Sequence, residues 1–100
     1  MSNDLLNDDI LRKIERVISE RKANMPDGSY VTSLLKGAPD KILRKITEEA
    51  GELVLASKND DTENIIHEAA DLLFHMLVLL GNHDLSLEQV LNELRQRYKA

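Results

Sequence analysis

The apolar residues of this chain recur mostly at three- and four-residue steps, the rhythm of helices with one buried face. Ile10, Leu11, Ile14, Val17 and Ile18 share such a face. They predict a first helix over about 8–21, with Asn7 or Asp8 as its N-cap. Ile42, Ile46, Ala50 and Leu53 mark the core face of a second helix over about 41–58, entered through a stop and cap at Pro39-Asp40. A turn at Asn59-Asp60-Asp61 leads into a third helix over about 62–81, capped by Asp61 or Thr62 and closed by Gly81-Asn82. From Ala69 to Leu80 that helix is apolar almost all round, broken only by Asp71 and His75, as in a central, buried helix. Leu87, Val90, Leu91, Leu94 and Tyr98 form the stripe of a fourth helix over about 86–99, with Ser86 and Gln89 at capping-box spacing. No segment alternates with period two, so the expectation is an all-α bundle of four main helices in one domain, 1–100. Between the first two helices, 24–40 reads as an extended connector, with Pro26, Gly28, Gly37 and Pro39 among Ser, Thr and Asn.

The charged positions complicate this picture. On a helical wheel Lys41, Lys45, Glu48, Glu49 and Glu52 fall within roughly 100° of one another. Alone, that is the solvated face of an amphipathic helix. The third helix differs, because Glu68, Asp71 and His75 fall within roughly 60° of each other in a helix that is otherwise apolar. Such a stripe is too narrow for a broad solvated face, and uncompensated buried carboxylates cost several kcal/mol each. Glu49-x-x-Glu52 and Glu68-x-x-Asp71 each project from one side of a helix, and antiparallel packing brings the four carboxylates together. Clustered carboxylates repel unless a cation intervenes, and an all-oxygen set favours a hard ion, Mg²⁺ or Mn²⁺. The competing account is salt bridging to Lys41, Arg44, Lys45 or Lys58, which serves the second helix but hardly the middle of the third. His75, one turn from Asp71, fits a contact behind the ligands or to substrate better than metal ligation. His67 lies about 80° from His75 on the wheel, so the two do not form a ligand pair.

Composition narrows the function. The 100 residues include no Cys, which removes a disulfide framework, a thiolate zinc site and a cysteine nucleophile. A formal net charge of −5 argues against a general nucleic-acid or anionic-membrane surface. Nothing in the first thirty residues reads as a signal peptide, and no stretch is expected to span a membrane, so the expected address is the cytoplasm. Other motifs fail. His67-Glu68-Ala69-Ala70-Asp71 lacks the second histidine of a zincin helix. His83-Asp84 lacks the further His and Asp of an HD phosphohydrolase, Asn59-Asp60-Asp61 is no calcium loop, and no glycine loop cradles phosphate.

Glu49-x-x-Glu52, fifteen residues, then Glu68-x-x-Asp71 resembles the signature of the MazG-like, all-α nucleoside-triphosphate pyrophosphohydrolases. Ser29-Tyr30, Gly37, Lys41-x-x-x-Lys45-x-x-Glu48-Glu49, Lys58-Asn59 and Glu68-Ala69-Ala70-Asp71-Leu72-Leu73-Phe74-His75 look like one branch, the phosphoribosyl-ATP pyrophosphohydrolases. The likeness runs from about Ile10 to Tyr98. It implies Mg²⁺-dependent hydrolysis of 1-(5-phosphoribosyl)-ATP to 1-(5-phosphoribosyl)-AMP and pyrophosphate, the second step of histidine biosynthesis. It also implies Glu49, Glu52, Glu68 and Asp71 as metal ligands. Glu48 is then a further ligand or the group that orients or deprotonates water, so Glu48 and Glu49 are the catalytic candidates. Lys41, Lys45 and Lys58 are candidates for the remaining phosphate oxygens or ordinary surface lysines. Asn59 and His75 join them as candidate substrate contacts, and Tyr30 either touches substrate from a lid or packs beneath it. Gly51, between Glu49 and Glu52, departs from good helix formers at a cost of up to about 1 kcal/mol, unless packing or ligand approach needs the space. The apolar third helix and the resemblance together imply a homodimer that completes the bundle. Some proteins of this kind carry an upstream cyclohydrolase domain with cysteine zinc ligands, so a chain without Cys is expected to be the stand-alone enzyme. Two rivals remain: a house-cleaning nucleoside-triphosphate hydrolase of the same fold, and a non-catalytic helical interaction module.

Overall fold

A computed structural model describes residues 10–99 and is all-helical among them. The helices are α1 (Ile10–Asn24), α2 (Tyr30–Lys36), α3 (Asp40–Lys58), α4 (Thr62–Asn82) and α5 (Leu87–Arg97). The expected caps at Asn7 or Asp8 lie outside the described residues.

The main correction concerns 24–40. It is not an extended connector throughout, because a seven-residue helix, α2, sits inside it and brings the total among the described residues to five. Gly28 turns the chain at φ +84, and the Ser29 side chain caps α2 by accepting from the Thr32 N–H. α2 is held by burial more than by length: Val31, Thr32, Leu34 and Leu35 are all buried. A helix this short gains little from propagation, so packing has to supply its stability.

At the other boundaries, Asp40 opens α3 as its first residue behind Pro39 and makes no side-chain cap. Asp61 caps α4 through the Asn64 N–H. Ser86 and Gln89 form the expected capping box of α5.

α3 and α4 form the most extensive pair, joined by the tight Asn59–Asp61 turn, and α1 crosses α4. Ile18, Leu34, Ile42 and Val78 are fully buried where α1, α2, α3 and α4 meet. α1 also braces the α4–α5 corner. Lys22 Nζ donates to the Gly81 and Asn82 carbonyls at 3.1 Å each and pairs with Asp84 at 2.7 Å. Those carbonyls belong to the last turn of α4, where a cation is favourable. Glu15 accepts from the Leu87 N–H at 2.7 Å, meeting a free donor at the start of α5.

α4 is less buried than its composition predicts. Only His75, Leu77 and Val78 are buried in it, while Leu73 is 40% and Met76 45% exposed. These two join Leu11, Leu80, Leu87 and Leu94 in an apolar groove of about 330 Å³. Thr62–Asn82 is also long and apolar enough to cross a membrane, which corrects the expectation that no stretch is. Its apolar length is spent partly on α1, α2 and α3, and Glu68, Asp71 and His75 stand on it.

Candidate active site

The site lies along the α3–α4 seam. Ile42, Glu49 and Ala56 are the buried residues of α3, spaced by seven, and a heptad step returns to nearly the same side of a helix. Glu49 therefore does not stand out on the solvated stripe with Lys45 and Glu48. It is 6% exposed, on the core seam. Facing it from α4 is His75, 4% exposed. Glu49 Oε1 lies 2.6 Å from His75 Nδ1. The Nδ1 hydrogen is directed at the Asp71 carbonyl, 2.8 Å away, and Glu49 Oε1 is left without an aligned partner. On its other edge His75 Nε2 meets the Tyr30 hydroxyl at 2.8 Å. The Tyr30 ring lies nearly parallel to Phe74 and edge-on to His75. Burial raises the Tyr30 hydroxyl above its ordinary pKa, and the positive charge of Lys45 opposes that rise.

One turn further along, Glu52 and Glu68 line a cleft of about 250 Å³ with Leu55, Ala56, Asn59 and Asn64. Glu68 Oε1 is buried and without a hydrogen-bond partner among the described residues. Burial, then the neighbouring Glu52 carboxyl, push the Glu68 carboxyl above the usual range. Asp71 completes the group: ligand atoms of His67, Glu68 and Asp71 lie within 4.8 Å of one another.

The structure thus brings Glu52, Glu68 and Asp71 to one side of the seam and places Glu49 at the back of it. Glu48 is half exposed and 3.8 Å from Lys45 Nζ. Lys41 does not face the carboxylates; its Nζ donates to Ser33 Oγ on α2. Lys58 is exposed at the end of α3, whereas Asn59 lines the Glu52–Glu68 cleft. His67, set aside above because it cannot pair with His75, lies 3.3 Å from Asp71 Oδ2. Its i,i+4 spacing to Asp71 carried that signal. Nothing lies within 4 Å of where a Cβ on Gly51 would stand, so helix packing does not explain that glycine.

The donor set fits a hard divalent cation. Apart from His67 it is built from carboxylate oxygens; Glu68 Oε1 is buried with no hydrogen-bond partner among the described residues, and Glu49 Oε1 is buried with only the misaligned His75 Nδ1 beside it. An all-helical arrangement with carboxylates from two adjoining helices, Glu52 and Glu68, in one cleft is consistent with the MazG-like class of pyrophosphohydrolases. Residues 11–98 match the family model for phosphoribosyl-ATP pyrophosphohydrolase, and the chain belongs to that family. A phosphoribosyl-ATP pyrophosphatase of Geotalea daltonii is 52% identical over 93 residues, covering 93% of this chain and 88% of that protein. That of Neisseria gonorrhoeae is 47% identical over 92 residues, covering 92% and 86%. The histidine biosynthesis bifunctional protein HisIE of Bacillus subtilis is 51% identical over 89 residues. The match takes in 89% of this chain but 43% of that longer protein.

Proposed function

We propose that the protein hydrolyses 1-(5-phosphoribosyl)-ATP to 1-(5-phosphoribosyl)-AMP and pyrophosphate, the second step of histidine biosynthesis, in the cytoplasm. The observation that carries this reading is the pair of buried carboxylate oxygens, Glu49 Oε1 and Glu68 Oε1, that accept no aligned hydrogen bond among the described residues, on facing helices of a chain of this family. Glu49, Glu52, Glu68 and Asp71 would hold Mg²⁺ or Mn²⁺. When bound, such an ion neutralises triphosphate charge, polarises the α-phosphoryl group and lowers the pKa of water.

The chain's own residues supply the rest. Glu48, half exposed beside Lys45, is the carboxylate free to orient the attacking water and take its proton. Oxygen from that water joins the α-phosphorus as the bond to the β-phosphate oxygen breaks, and pyrophosphate leaves. Lys45 and Lys58 answer phosphate charge from the end and flank of α3. Asn59, in the Glu52–Glu68 cleft, offers a neutral donor. Tyr30, 48% exposed at the start of α2, stands with its hydroxyl on His75 Nε2. Lys41 would leave Ser33 Oγ on α2 to reach substrate. The substrate is a small molecule; neither nucleic acid nor a membrane is a partner.

The apolar groove on α4 and α5 supports a homodimer that buries Leu73 and Met76. A sedimentation mass of two chains at micromolar concentration is expected, and a mass of one chain refutes it.

The decisive assay measures pyrophosphate release from phosphoribosyl-ATP, with and without Mg²⁺, beside a panel of nucleoside triphosphates. Metal-dependent release fastest from phosphoribosyl-ATP is expected. Faster release from a common nucleoside triphosphate supports the house-cleaning alternative, and no release from any of them supports an interaction module.

A further inference from the structure

The least explained part of the seam is His75. It is buried, yet hydrogen-bonding atoms from three helices meet it: Tyr30 from α2, Glu49 from α3 and the Asp71 carbonyl from its own α4. A histidine that only filled the core would need one partner for each nitrogen, and the Tyr30 hydroxyl and the Asp71 carbonyl already provide that. Glu49 is supernumerary. Its carboxylate comes to 2.6 Å of Nδ1 with Oε1 lacking an aligned bond of its own. The carbonyl at Asp71 can only accept, so Nδ1 carries a hydrogen, and Nε2 can accept from Tyr30. Tyr30 thereby fixes the ring and leaves Nδ1–H facing the backbone of one carboxylate residue and the side chain of another.

We propose that His75 is a positioning residue, held by the Tyr30 hydroxyl, that fixes where Glu49 and the Asp71 turn of α4 stand relative to one another. This rests on the reading of Glu49 and Asp71 as metal ligands. It makes α2 more than a cover, because its first residue bears on the carboxylates through one ring. Groups behind metal ligands typically alter metal affinity or activity by about 10–100-fold when removed.

The test uses Mn²⁺ affinity, measured by calorimetry on the full chain, with phosphoribosyl-ATP turnover as a second readout. In His75→Asn the amide nitrogen can take the place of Nδ1, whereas in His75→Gln it takes the place of Nε2. His75→Gln is expected to weaken Mn²⁺ about 10–100-fold, and His75→Asn to recover most of that loss. Tyr30→Phe, which keeps the ring against Phe74, is expected to weaken Mn²⁺ several-fold alone and to add nothing in the His75→Gln background. Equal weakening by Asn and Gln, accompanied by equal loss of thermal stability, overturns the proposal in favour of plain packing. Unchanged affinity in Tyr30→Phe overturns it even where the His75 variants fail to fold. Wild-type protein that binds Mn²⁺ but leaves phosphoribosyl-ATP intact overturns the proposed activity alone. Wild-type protein with no affinity for Mn²⁺ overturns both.

Discussion

Two ends of α4 treat charge in opposite ways. At the corner with α5, charged groups meet partners: Lys22 meets two carbonyls and Asp84, Glu15 meets the Leu87 N–H, and Glu88 sits between Arg12 and Arg95. Along the seam with α3, Glu52 crowds Glu68, and among the described residues Glu49 and Glu68 each keep a buried oxygen that accepts no aligned hydrogen bond. The first region is held together by its charges, and the second holds together in spite of them. A fold keeps such unmet groups when something else meets them, and here that is the chemistry proposed for the family.

The largest expected effect breaks the seam's function without touching its fold. Asp71→Asn or Glu52→Gln should lower pyrophosphate release by more than the roughly 100-fold seen for groups behind metal ligands. Circular dichroism should show unchanged helicity. Near-normal metal-dependent turnover in Asp71→Asn would remove that residue from the ligand set.

At the corner the converse holds. A Cβ on Gly81 would stand 2.6 Å from Ile18 Cγ2, inside the fully buried core. Gly81→Ala should destabilise the protein by about 1–3 kcal/mol in urea unfolding, with turnover per folded molecule kept. Gly51 sharpens the contrast, since a Cβ there meets nothing. Gly51→Ala should stabilise the metal-free protein by up to about 1 kcal/mol. If it also slows turnover, the open space serves the ligand.

The smallest effects are in pH, and their signs oppose. Glu68 has a raised pKa, so its contribution to stability is present below the unfolded value and lost as pH climbs through the raised one. Metal-free Glu68→Gln should therefore melt higher than the parent at neutral pH. Glu88 has a lowered pKa, from its hydrogen bonds to Arg95 and Arg12. Its contribution is present above the ordinary carboxylate value and lost as pH falls through the lowered one. Glu88→Gln should flatten the acid limb of the melting curve.

Helical periodicity carried most of the fold: the long elements and the Ser86 capping box lie where spacing puts them. It could not find α2, because a two-turn helix among Gly and Pro shows no sustained period and is held by tertiary burial. Part of the acidic pattern was legible too, since Glu52 and Glu68 line one cleft and Glu68 stands beside Asp71. The depth of Glu49 was not. On the wheel it borders Ile42, and only packing of α4 against that edge decides that it is core instead of surface. The Tyr30–His75 link spans 45 positions, beyond any local pattern.

The clasp at the α4–α5 corner has one more consequence. α5 is gripped at its first turn, by Glu15, Arg12 and the buried Leu87, while Leu94 and Tyr98 stand open to water. Such a helix is moored at one end, and its amide protons should trade with deuterium in sequence, fastest near Arg97 and slowest near Leu87. A partner lying along Leu94 would level that gradient, so the last eleven-residue helix serves as a built-in gauge of assembly.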